Sequence, residues 1–146
     1  MIVKLFKGVW FLSLVATLAV LLYVYAGLPE EVEVMGGTNT MTLSRDGLFY
    51  ATLALLTVFN ALTLTFSRLY REKNELFTGW LFGQVACLHL FMIVALQFFN
   101  LYNSQENFDY GRLGVIIYTS IGLVVIWFFL WPMYLLYTRF FSKPAI

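Results

Sequence analysis

Residues 77–100 constrain this chain most: the run is long enough to cross a bilayer and carries no Asp, Glu, Lys or Arg, yet it contains Gln84, Cys87, His89, Gln97 and Asn100. A hydrocarbon core about 30 Å thick takes roughly 20 apolar residues of helix, and polar side chains at that depth are costly unless they face protein or water. This run is therefore expected at the centre of the fold, with the other elements packed round it.

Three further runs have the same character. Residues 8–28 carry no charge and only Ser13 and Thr17 as small polar side chains. Lys4 and Lys7 before this run and Val24-Tyr25-Ala26 near its end also suit a signal peptide. The apolar part is longer than a usual signal core, which favours an uncleaved anchor. Residues 47–67 and 113–138 supply two more spans, and no internal repeat or low-complexity tract is visible. Composition agrees: 61% of residues are hydrophobic and only 12% charged, where soluble domains carry roughly 25% charged residues. The expectation is an all-α integral membrane four-helix bundle. It is a single transmembrane domain over residues 1–146, with spans at about 8–28, 47–67, 77–100 and 113–138, joined by short loops.

Between the first two spans, residues 29–46 alternate apolar and polar side chains around Gly36-Gly37, which suggests a small extracytoplasmic hairpin. Val32, Val34, Met35, Met41 and Leu43 would give it a weak apolar side. An isolated two-stranded hairpin is marginal in water, so it is expected to lean on a partner. Ser44 is placed to cap the second helix, and Asp46 in the first turn suits the positive end of the helix dipole.

Charge sets an expected orientation. Lys4, Lys7, Arg68, Arg71, Lys73, Arg139 and Lys143 fall on one side of the four spans, and only Arg45 and Arg112 on the other. By the positive-inside rule both termini are expected on the cytoplasmic side. Trp10, Trp80, Trp131, Tyr134 and Tyr137 then lie near the inner interface, and Tyr25, Tyr50, Tyr102 and Tyr110 near the outer one. The formal net charge of +1, with no basic stripe, speaks against a nucleic-acid partner.

The polar residues inside the spans are the candidates for function. At about 100° per residue, Thr52, Leu56, Asn60, Thr63 and Ser67 share one side of the second helix. Such a stripe serves as interhelical glue or, around Asn60, as part of a polar cavity. Asn60, Gln84, His89 and Gln97 form the candidate polar interior, although Gln84 points well away from the face of His89. A neutral His89 donating to a carbonyl or an Asn is expected, in preference to a haem or metal ligand. The chain has one His and one Cys, and its acids lie in loops or at span ends. Cys87 and His89 diverge by about 200° on a helix and cannot pair as nucleophile and base. Phosphate loops, Ser-His-Asp sets and paired intramembrane carboxylates are missing from the sequence. No catalytic group, cofactor or metal held by this chain alone is therefore expected, which leaves a ligand shared with another subunit as the alternative.

Small residues suggest packing faces: Ala19 on the first helix, and Gly114 and Gly122 on the fourth. The run Trp127-Phe128-Phe129-Leu130-Trp131-Pro132 instead places large side chains all round its helix, so some must face lipid or a partner.

Leu28-Pro29-Glu30-Glu31-Val32, followed after a Gly-containing loop by Leu43-Ser44-Arg45-Asp46-Gly47-Leu48-Phe49-Tyr50, resembles the start of the bacterial membrane family that includes SdpI-type immunity proteins. The likeness implies a first span leaving through a Leu-Pro motif into a short extracytoplasmic loop and a second span. The His and Pro residues of that family's loop are absent here, and no functional residue is carried over. The functional expectation is a non-catalytic accessory or assembly subunit of a larger membrane complex, in contact with lipid and other membrane subunits. The alternative is a small ligand-binding or transport bundle with Asn60, His89 and Gln97 lining a cavity between the second and third helices.

Overall fold

The structure, a computed structural model, describes residues 2–35, 41–70, 74–104 and 110–141. The Gly36-Gly37 turn and the loop residues Arg71, Lys73, Glu106 and Asp109 lie outside these, as does Lys143. Four helices account for most of the described chain: α1 (Ile2–Gly27), α2 (Arg45–Tyr70), α3 (Glu75–Tyr102) and α4 (Tyr110–Phe141), with strands β1 (Glu31–Met35) and β2 (Met41–Ser44) between the first two. All four helices are long and apolar enough to cross a membrane. An α-helix satisfies its own backbone, which makes it one of only two ways to cross hydrocarbon.

Polar residues define the helix ends. Ser44 Oγ accepts the Gly47 N–H at 3.0 Å and caps α2. At the start of α3, Asn74 is in extended backbone and its Oδ1 accepts the Phe77 N–H at 3.0 Å. Asn103 closes the same helix, its backbone N–H reaching the Phe99 carbonyl at 3.1 Å.

The strands pair antiparallel, Val32 opposite Leu43 and Glu33 opposite Thr42, with an irregularity between Glu33 and Met35. The described chain itself supplies support. Val32 is 0% exposed and packs in the core with Leu21, Val24, Leu28, Leu56, Met92 and Leu96. Asn103 adds a rung beside the ladder: its Oδ1 accepts the Glu33 N–H at 2.8 Å and its Nδ2 donates to the Glu33 carbonyl at 3.2 Å. Met41 and Leu43, expected on the apolar side, are exposed. One buried valine and one asparagine clip hold the hairpin down.

Helix α3 is central. Helices α1 and α2 pack on one side of it and α4 on the other, so the four helices do not close round a common axis. A three-helix core of α1, α2 and α3 carries α4 as an outrigger, touched from α1 by Phe6, whose ring meets Trp127 edge-on at 5.6 Å. Close approach of α3 and α4 depends on Gly83: a Cβ there would fall 2.3 Å from the Trp127 ring.

Candidate functional site

The three helices of the core meet at His89, which is 0% exposed. Its Nδ1 lies 2.9 Å from Ser13 Oγ on α1, and its Nε2 lies 3.1 Å from Asn60 Nδ2 on α2. Asn60 is held in turn by the Trp10 indole, which donates to Asn60 Oδ1 at 2.7 Å. Asn60 Nδ2 also donates to the Leu56 carbonyl at 2.7 Å, and Ser13 Oγ donates to the Trp10 carbonyl at 2.8 Å.

These partners decide the proton positions. An indole N–H only donates, so the Asn60 oxygen faces Trp10 and its amide nitrogen faces His89. The imidazole Nε2 then accepts, and the ring carries its proton on Nδ1, directed at Ser13 Oγ. The Ser13 hydroxyl in turn donates a hydrogen bond to the Trp10 carbonyl. The circuit closes on the neutral imidazole, with both ring nitrogens engaged and neither directed at a vacant position. Thr17 completes the cluster from α1, donating to the Ser13 carbonyl at 2.7 Å and lying 3.4 Å from the His89 carbonyl. Chemically, such a circuit ties three helices in one register, and each member would be costly to bury alone.

Only two of the four expected interior residues meet here. Asn60 and His89 are bonded, whereas Gln84 faces α4, with its Nε2 at 3.4 Å from the Val124 carbonyl and its Oε1 buried without a partner among the described residues. Gln97 lines a cleft of about 350 Å³ between α3 and α4, with Ile93, Phe98, Leu113 and Ile117. Between α2 and α3 lies a different cavity of about 220 Å³, lined by Thr52, Leu55, Met92, Leu96 and Phe99 among others, and it includes none of Asn60, His89 and Gln97. The three residues of the expected ligand cavity thus do not line one space.

The small residues expected to allow close packing, within the bundle or against another subunit, make no close approach within this chain. Ala19 is exposed. A Cβ on Gly122 would meet nothing within 4 Å, and one on Gly114 only Tyr118 of its own helix at 3.9 Å. Close approach falls to Gly83 instead. Trp10, Ser13 and Thr17 join the interior beyond the four residues expected there, and their sequence signal is a spacing of three and four that puts them on one face of α1.

A second polar group sits at the hairpin end of the helices. Arg45 lies over the Tyr25 ring at 4.9 Å, its Nη1 is 3.4 Å from the Leu28 carbonyl, and Tyr25 donates to Asp46 Oδ1 at 2.8 Å. These contacts tie the exit of α1 to the start of α2. At the opposite end, the rings of Tyr70, Phe77, Trp80 and Trp131 form a continuous chain of contacts 5.1–5.9 Å apart across α2, α3 and α4.

Comparison with protein-family models, with curated proteins and with solved structures finds no match to this chain.

Proposed function

We propose that this protein is a non-catalytic accessory or assembly subunit of a larger protein complex in a bacterial cytoplasmic membrane, with both termini on the cytoplasmic side. The observation that carries this reading is the closed Trp10–Asn60–His89–Ser13 circuit, which engages the polar groups at the centre of the core in holding helices together. The helix α4 adds support: it rests on α3 and leaves large side chains such as Val115, Ile126 and Phe129 exposed. That surface is available to lipid and to the transmembrane helices of other subunits.

Isolation of the tagged protein from its native membrane in a mild detergent tests the reading. One or more membrane proteins are expected to co-purify in constant proportion. A stable monomer with no accompanying chain would overturn it. A reporter fused to the C-terminus should be active only in the cytoplasmic form.

A further inference from the structure

Three helices end together on the inner side and the fourth does not. Trp80 donates to the Trp127 carbonyl and the Phe77 and Trp131 rings meet at 5.1 Å, so in this antiparallel pair Glu75, the first residue of α3, is level with about Pro132. Helix α2 ends at Tyr70, whose ring meets Phe77 at 5.3 Å, and α1 begins at Ile2, one turn beyond the Phe6 that touches Trp127. Helix α4 runs on to Phe141, past the others by about 13 Å at roughly 1.5 Å per residue.

The overhang is not dressed for water. Met133 is 65% exposed, Tyr137 63%, and Phe140 and Phe141 73% each. Apart from Thr138 and Arg139, residues 133–141 are apolar or aromatic on every side of the helix. A helix that docks on a protein groove, or lies flat on a surface, shows one apolar and one polar face. An all-round apolar surface calls for immersion.

We propose that residues 133–141 are an interfacial anchor that sinks into the headgroup and upper acyl layer of an anionic leaflet. Three observations select lipid over a protein partner. The exposed apolar surface of α4 continues into the overhang without a polar break. Tyr134, Tyr137, Phe140 and Phe141 flank Arg139, the composition of an aromatic belt at headgroup level. Residues 110–146 contain no acid, while Arg139 complements lipid phosphates. Pro132 supplies the means of bending. It lacks the N–H that would bond the Phe128 carbonyl, and it stands where α4 loses its neighbour. A bend or tilt at that point draws in an apolar stretch longer than the hydrocarbon thickness.

The test uses nitroxide labels at Leu136→Cys, Tyr137→Cys, Phe140→Cys and Phe141→Cys in the full-length Cys87→Ala protein, with the parent as an alternative because Cys87 is buried. The protein is reconstituted in vesicles of phosphatidylcholine with and without phosphatidylglycerol. Collision with oxygen and with a water-soluble nickel chelate is then read at each site. High oxygen and low nickel accessibility at all four positions is expected, with labels shallower in phosphatidylcholine alone and after Arg139→Glu. Strong nickel collision at any face would place the overhang in water. Screening from both relaxants would mean a second copy covers it, and depth indifferent to lipid charge would remove the phosphate contact; each of these overturns the proposal. Which leaflet is engaged follows from the orientation proposed above, whereas immersion does not depend on it, so the two fail separately.

Discussion

Trp80 and Trp127 hold each other's backbone: the Trp80 indole donates to the Trp127 carbonyl at 2.8 Å, and the Trp127 indole donates to the Trp80 carbonyl at 3.0 Å. An indole N–H packed between two helices needs an acceptor. Each ring finds it on the opposite helix, one bond in each direction. The clasp joins α4 to the core, and it forms only because Gly83 lets the Trp127 ring lie against the α3 backbone.

Gly83→Ala is therefore expected to destabilise the protein by about 1–3 kcal/mol, the usual cost of overpacking. The added methyl has no room within 2.3 Å of the ring, so Trp127 must move and both indole bonds weaken. Unfolding in mixed micelles checks the loss, and a change in tryptophan emission reports the displaced rings. An unchanged stability and spectrum would show that α4 does not depend on this approach.

Trp127→Phe keeps an aromatic ring beside Gly83 but removes the N–H that reaches the Trp80 carbonyl. The expected loss is about 0.6 kcal/mol and at most about 1.7, the range of single interhelical hydrogen bonds in membranes. The same unfolding assay measures it, and its effect should be smaller than that of Gly83→Ala.

Within the core, Asn60 and His89 should be energetically coupled. Replacing either by Ala strands donors and acceptors on the other, so the double variant should cost less than the sum of the singles. A coupling of about 0.6–1.7 kcal/mol is expected from a double-mutant cycle. Thr57→Ala is the control, since Thr57 is exposed and its hydroxyl bonds only the Leu53 carbonyl of its own helix. Strict additivity between Asn60 and His89 would dissolve the circuit.

The hairpin supplies a contrast between burial and exposure. Val32→Ala removes two methyl groups from a fully buried site and should cost about 2 kcal/mol, whereas Leu43→Ala, directly across the ladder, should stay within about 0.5 kcal/mol because Leu43 is exposed. Asn103→Ala should leave global stability little changed yet speed amide exchange at Glu33, whose N–H it holds. Equal effects at Val32 and Leu43 would mean that the hairpin does not dock on the core.

The sequence by itself determined the four spans, the Ser44 cap and the sheltered position of the run around His89, because lipid imposes a length and a polarity on any helix that crosses it. It also marked the polar stripe of α2: Thr52, Leu56, Thr63 and Ser67 are all buried, since a 3.6-residue period fixes which residues share a face. What a period leaves open is which face meets which. Gln84, His89 and Gln97 are equally polar in sequence, yet tertiary packing turns His89 toward Ser13 and Asn60 and leaves the two glutamines facing α4. The same holds for small residues. Gly83 carries the close approach, and Gly114 and Gly122 do not, because the rotation of each helix about its axis depends on side chains from elsewhere in the chain, and only the assembled core supplies them.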